Sequence, residues 1–154
     1  MKITFLGDYC QTTDRELKIS EQLKYDLENS DIVCLNLEGP IIDNHCLPQL
    51  KIGPALSQHK LILNNLELLN CSHLCLANNH IMDYGHKGLN VTLDTLNSYE
   101  TFGAGLTFDD AYSPSIIEKE GKSVALFAFG ESQFGVINTN LDGPGFASVT
   151  NSEA

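Results

Sequence analysis

The chain is poor in basic residues, because its 154 positions hold only 9 lysines and arginines against 20 aspartates and glutamates. The net charge is -11, and no cluster of lysines or arginines interrupts the acidic composition. We therefore do not expect a nucleic acid or an anionic membrane surface as a partner. An acidic protein that handles phosphate or carboxylate substrates needs a cation to attract them, and a bound metal ion is one source.

Long apolar segments and a disulfide framework are also missing. No apolar run approaches the length that spans a bilayer, and Met1–Asp8 lacks the hydrophobic stretch of a signal peptide. Five cysteines at irregular spacing do not predict a set of disulfide bonds. With 42% hydrophobic and 19% charged residues, we expect a globular, reduced, cytoplasmic protein with a core of its own.

Apolar runs that alternate with helical periodicity predict an α/β fold. Lys2–Leu6 predicts a first strand, Ile32–Leu35 a second and His73–Ala77 a third. The intervening segments Glu16–Asn29 and Ala55–Asn70 carry leucines and isoleucines at helical spacing. Because such βαβ units form parallel sheets, residues that follow the three strands should meet at one edge of the sheet.

The later part of the chain predicts a further helix and a hairpin. Gly88–Ser98 has leucines on one helical face. Ile116–Lys119 and Ser123–Phe129 flank the turn-like pair Glu120-Gly121, so we expect these two runs to pair antiparallel. Val136–Ala154 is rich in glycine, asparagine and serine and has no periodicity. No internal repeat or second domain is expected.

Polar residues follow each of the three predicted strands. Asp8 follows the first strand, Glu38 the second, and Asn79 and His80 the third. Carboxylate and amide oxygens bind divalent metal ions, and imidazole is the usual general acid or base. The pattern favours a metal-assisted hydrolase with His80 as proton donor. The alternative, in which Asn and Asp side chains bond their own backbone in capped turns, stays open.

Cysteine and histidine alternate along the third predicted strand, where Cys71, His73 and Cys75 share one face. A zinc site uses such a mixture of ligands. Free cysteines are most often buried as small hydrophobic residues, and we favour that interpretation. A serine esterase that opens with Gly-Asp-Ser is not expected, because Tyr9 occupies the nucleophile position.

Four blocks follow one another in the chain: Phe5–Asp8, Asp31–Pro40, Leu76–Gly85 and Thr101–Gly105. Together they resemble the CapA family, the poly-γ-glutamate capsule biosynthesis proteins of the calcineurin-like metallophosphoesterase superfamily. The second and third blocks are specific as a pair. The resemblance runs from about Ile3 to Glu131 and covers most of the chain.

The resemblance implies a layered α/β/β/α sandwich with divalent metal ions at the strand ends. By similarity, Asp8, Asn36, Glu38 and Asn79 bind manganese, iron or zinc, and His80 donates a proton. The implied reaction is attack by metal-activated water on a phosphoester or related bond. The implied substrate is a capsule polymer or a small phosphoester, and the implied process is capsule synthesis or remodelling.

The chain departs from the family pattern in two places. Cys10 stands where the superfamily often has a histidine, and it is either a softer ligand or no ligand. The family carries further histidine ligands in its second half, whereas no histidine follows Gly130 here. We therefore expect residues 1–154 to form a single CapA-like domain truncated at its C-terminus. The alternative function is a non-catalytic binding or assembly subunit, and a homo-oligomer is left open.

Overall fold

The computed structural model describes residues 1–131 and 143–149. Its central feature is a four-stranded parallel sheet with strand order β1-β2-β3-β4. The strands are β1 (Ile3–Tyr9), β2 (Ile32–Leu37), β3 (His73–Cys75) and β4 (Glu100–Phe102). The predicted α/β class with a parallel sheet is confirmed. Strand β4 was not predicted, because three residues are too few to show a strand period.

Strands β1 and β2 extend further than their apolar runs indicate. Asp8 pairs with Asn36 and Tyr9 with Leu37 in the parallel register. The register shifts between Phe5 and Asp8, which marks a bulge-like irregularity in β1. Asp8 and Asn36 therefore lie within the last residues of their strands rather than after them. Backbone pairing continues through these polar positions because it does not depend on side-chain hydrophobicity.

Three helices connect the strands, and they are α1 (Glu21–Glu28), α2 (Ile62–Leu68) and α3 (Gly85–Thr95). The predicted start of the first helix at Glu16 is wrong. Helix α1 begins after Ser20, whose hydroxyl oxygen accepts a hydrogen bond from the backbone N–H of Leu23 at 3.2 Å. Within residues 1–131 and 143–149, no helix has the length and hydrophobicity needed to cross a bilayer.

The sheet separates two hydrophobic clusters. The larger cluster joins the helices to one face of the sheet, and Leu35, Leu66, Leu74 and Leu89 are each at most 1% exposed within it. The smaller cluster lies on the other face and consists of Cys34, Phe102, Ile117 and Leu126. Adjacent strand residues such as Cys34 and Leu35 belong to opposite clusters because side chains alternate across a strand.

The predicted antiparallel hairpin is confirmed as β6 (Ser115–Lys119) and β7 (Lys122–Leu126). Its two turn residues, Glu120 and Gly121, have φ angles of 53° and 71°, as a type I′ turn requires. The remaining elements are short: β5 (Ala104–Gly105), α4 (Phe108–Tyr112), β8 (Gly130–Glu131), β9 (Gly145–Phe146) and β10 (Ser148–Val149). The predicted lack of periodicity in Val136–Ala154 falls mainly outside the described residues.

Candidate active site

The carboxyl ends of β1 and β2 bring Asp8 and Asn36 together. Asn36 Nδ2 donates a hydrogen bond to Asp8 Oδ1 at 2.8 Å. The two residues are partners in the parallel ladder, which places their side chains on the same face of the sheet. Asp8 is exposed, whereas Asn36 is half-buried. The backbone pairing therefore provides an acidic and an amide group at the sheet edge.

Asn78 joins this edge to the loop that follows β3. Its Nδ2 donates to Asn36 Oδ1 at 3.1 Å and to the carbonyl oxygen of Leu37 at 2.9 Å. Its Oδ1 accepts from the backbone N–H groups of His80 at 3.1 Å and Gly39 at 3.4 Å. The bond from the His80 N–H to Asn78 Oδ1 is the kind of capped turn that the sequence analysis names as the alternative interpretation. Asn78 thus fixes the loop that carries His80 against β2.

His80 is held at its Nδ1 atom by Asp83. His80 Nδ1 and Asp83 Oδ2 are 2.8 Å apart, and the backbone N–H of Leu56 donates to the same oxygen at 2.7 Å. The Lys51 ammonium group is bonded to Asp83 Oδ1 and lies 3.1 Å from His80 Nδ1. Asp83 is fully buried, and the Lys51 side chain is 5% exposed. The negative charge of the buried carboxylate is therefore paired.

The other ring nitrogen of His80 faces Glu38. His80 Nε2 lies 3.9 Å from Glu38 Oε1, and their side chains are 15% and 28% exposed. The backbone N–H of Glu38 donates to the carbonyl oxygen of Tyr9 at 3.0 Å, which holds the residue beside the end of β1. We assign a proton to Nδ1, because the Asp83 carboxylate, paired with the Lys51 ammonium group, can only accept a hydrogen bond. Nε2 is then the ring atom that remains for proton transfer.

Asn79 and Cys10 form fewer specific contacts at the site than the residues described above. Asn79 is half-buried between Asn78 and His80, and its side chain forms no hydrogen bond with other residues in the described ranges 1–131 and 143–149. Burial raises the pKa of the Cys10 thiol, and the nearby charge of Glu38 raises it further. Cys10 is consequently a neutral thiol at pH 7 beside the acidic groups.

The side chains at this edge have the chemistry of oxygen ligands for hard divalent cations. Two carboxylates, Asp8 and Glu38, are accompanied by the amides of Asn36 and Asn79. In the part of the chain that the structure describes, no three His, Cys, Asp or Glu side chains are close enough to hold a metal ion. The side-chain amide of Asn36 is already hydrogen-bonded to both Asp8 and Asn78. Metal binding by these four residues remains a prediction.

The second candidate group, on β3 and the residues before it, is buried, but the expectation that it shares one face is wrong. Cys71 precedes β3 and belongs to the larger cluster, whereas Cys75 packs against the smaller one. Cys71 and His73 are 8% and 6% exposed, and Cys75 is half-buried. Burial raises the pKa of Cys71 to about 12 and lowers the pKa of His73. Neutral thiols and a neutral imidazole in the interior agree with the favoured interpretation of small buried side chains.

The sequence analysis did not predict that Lys51 and Asp83 pair and contact His80 Nδ1. Lys51 lies in the long connection between β2 and α2, and a single lysine in a loop carries no pattern. Asp83 falls within the block Leu76–Gly85, which by itself gives this carboxylate no separate role. Its position three residues after His80 is the one available signal, since that spacing permits side-chain contact in a turn.

Residues 5–153 match the sequence profile of the bacterial capsule synthesis protein PGA_cap family. The chain belongs to this family. It is also 30% identical over 125 residues to the PGA biosynthesis protein CapA from Bacillus subtilis (strain 168). The alignment covers 79% of this chain and 30% of that relative, so the chain spans well under two thirds of the relative's length.

The family membership confirms the resemblance to CapA proteins that the four sequence blocks indicate. All five candidate site residues fall inside the matched range, and they are Asp8, Asn36, Glu38, Asn79 and His80. In this PGA_cap family member, Asp8, Asn36 and His80 form hydrogen bonds at the ends of β1 and β2 and in the loop after β3, and Glu38 lies 3.9 Å from His80.

Proposed function

We propose that this chain is a metal-dependent, hydrolase-like protein that acts on a phosphoester or related bond during synthesis or remodelling of a bacterial capsule polymer. The observation that carries the proposal is the placement of His80, which is bonded to buried Asp83 at Nδ1 and faces Glu38 at Nε2. The family and its Bacillus relative, whose name refers to PGA biosynthesis, support the assignment of the process.

Divalent metal ions are part of this proposal, with manganese, iron and zinc as candidates. Asp8, Asn36, Glu38 and Asn79 would hold them, and the support is the oxygen-donor chemistry of these side chains at one sheet edge. A bound ion of this kind lowers the pKa of a coordinated water and makes it a nucleophile. The layered α/β/β/α arrangement also belongs to the proposal, and helices on one face of a parallel sheet are compatible with it.

His80 would supply the proton that the leaving group needs. In hydrolysis a water oxygen bonds to phosphorus, the bond from phosphorus to the leaving oxygen breaks, and that oxygen takes up a proton. Since Nδ1 donates to Asp83, the transferable proton is the one on Nε2. Asp83 keeps the imidazole ring oriented through its bond to Nδ1. The capsule polymer or a small phosphoester is the proposed substrate class.

Metal-dependent turnover of bis(4-nitrophenyl) phosphate tests the proposal, with release of 4-nitrophenolate as the readout. We expect wild-type turnover with added Mn²⁺ and a loss of roughly 10²–10⁴-fold in kcat for His80→Gln. His86→Gln is the matched control because His86 is an exposed histidine on α3, and its rate should equal that of the wild type.

Two outcomes contradict the enzymatic proposal. One is the absence of any metal-dependent turnover by the wild-type chain. The other is the same residual rate in wild type and His80→Gln, which would assign the hydrolysis to another group. Absence of turnover in a chain that self-associates would instead favour the non-catalytic binding or assembly subunit.

A further inference from the structure

Lys51 has a buried basic side chain that the proposed reaction does not use. Its side chain is 5% exposed, although its neighbours Leu50 and Ile52 are 102% and 78% exposed. The lysine therefore points inward from a segment whose adjacent side chains point to solvent. Burial of an ammonium group is costly unless it is paired and hydrogen-bonded, so its inward position needs a reason.

Asp83 is the anchor for the whole segment around Lys51. The backbone N–H of Gln49 donates to the carbonyl oxygen of Asp83 at 2.7 Å. The backbone N–H of Leu56 donates to Asp83 Oδ2, also at 2.7 Å, and the Lys51 ammonium group is bonded to Oδ1. Gln49, Lys51 and Leu56 thus all bond to Asp83, the residue that holds His80.

The position of Lys51 does not suit direct binding of an anionic substrate. The ammonium group is bonded to Asp83, lies 3.1 Å from His80 Nδ1, and is almost closed off from solvent. A general contribution to stability explains its presence poorly, because apolar replacements of buried ion pairs are often neutral or stabilising. What the pair does provide is a covered, charge-balanced environment for the hydrogen bond between Asp83 and His80.

We propose that Lys51 is a positioning residue for His80. By pairing with Asp83, it closes residues 49–56 over the hydrogen bond from His80 Nδ1 to Asp83 and keeps water from it, so that His80 Nε2 stays directed toward Glu38. This inference rests on the proposed function for the role of His80 in a reaction. Its geometric content can be measured without any substrate.

The test is the exchange rate of the His80 Nδ1–H proton with water, measured by NMR on chain labelled with ¹⁵N in the histidine rings. The His80→Gln spectrum assigns the signal. In Lys51→Met the uncompensated carboxylate draws water into the site, and we expect exchange to become roughly a hundredfold faster. Lys51→Arg retains a hydrogen-bonding cation, so it should keep the slow exchange. Lys60→Met, at an exposed lysine, is the matched control and should match the wild type.

The free energy of unfolding of each variant is measured separately with urea. If Lys51→Met lowers that free energy but leaves Nδ1–H exchange unchanged, the positioning role is refuted and only a structural role remains. If Lys51→Met does not fold, Lys51→Arg decides, since fast exchange in the folded arginine variant also refutes the proposal. Failure of both variants to fold makes Lys51 a folding requirement and likewise refutes it.

Turnover is scored independently of these exchange rates. A chain without phosphodiesterase activity that still shows fast exchange only in Lys51→Met would overturn the proposed function and retain the positioning inference. An active chain whose Lys51→Met variant keeps slow Nδ1–H exchange would retain the proposed function and overturn the positioning inference.

Discussion

Replacement of Asp83 by alanine should destabilise the chain strongly. The change removes a fully buried carboxylate and leaves the ammonium group of Lys51, whose side chain is 5% exposed, without its carboxylate partner. It also leaves the Leu56 N–H without its acceptor. Loss of one member of a buried ion pair costs about 3–5 kcal/mol, a large part of the roughly 5–15 kcal/mol by which domains are stable. Urea unfolding followed by circular dichroism measures the decrease.

A second substitution separates the ion pair from other effects of the change. Adding Lys51→Met to Asp83→Ala removes the unpaired buried charge, so the double variant should recover roughly 1–3 kcal/mol of coupling energy. Asp94→Ala, at an exposed aspartate on α3, is the control and should stay within about 0.5 kcal/mol of wild type. The reasoning is refuted if Asp83→Ala costs less than about 1 kcal/mol, or if the two substitutions are additive.

Two further predictions concern positions away from the candidate site. Burial lowers the pKa of His73 below its ordinary 6.5, so the unfolded chain binds more protons and the free energy of unfolding should fall as the pH drops through 6.5 toward the lowered value. Urea titrations at several pH values should show a smaller decrease in the free energy of unfolding for His73→Gln than for wild type. His86→Gln should show the same decrease as wild type, and equal decreases in all three proteins would contradict the prediction. Gly103 has φ 87°, and an added Cβ would approach two alanine Cβ atoms at 2.8 and 2.9 Å. Gly103→Ala should therefore cost roughly 1–3 kcal/mol by thermal unfolding, and a variant as stable as Gly7→Ala, where nothing lies within 4 Å, would contradict it.

The parallel sheet could be predicted because its signals are local. Apolar runs typical of strands alternate with segments of helical periodicity. Because the crossovers between parallel strands are short and right-handed, few sheet topologies are possible. That topology also predicts which strand ends meet, and the contact between Asp8 and Asn36 follows directly from their ladder pairing. The approach of His80 to Glu38 follows in the same way, because both residues come after adjacent strands.

Features that depend on single contacts were not predicted. The start of α1 is determined by the Ser20 cap, whereas the preceding residues also carry apolar side chains at helical spacing. Lys51 and Asp83 are 32 residues apart, and neither belongs to a periodic pattern that would indicate their pairing. Strand β4 depends on backbone pairing with β3 rather than on its own three residues. Long-range contacts decide the last two features, whereas the first depends on one local hydrogen bond that helical spacing alone does not report.

Metal content is the most direct test of the central claim, that the carboxyl edge of the sheet is a metal-dependent site. The chain is reconstituted with Mn²⁺, freed of unbound ion by gel filtration and analysed by elemental mass spectrometry. We expect close to stoichiometric metal in wild type, Asp94→Ala and His80→Gln, and loss of metal in Asp8→Ala. A wild-type chain without metal after reconstitution, or an Asp8→Ala variant that retains as much metal as wild type, would contradict the account.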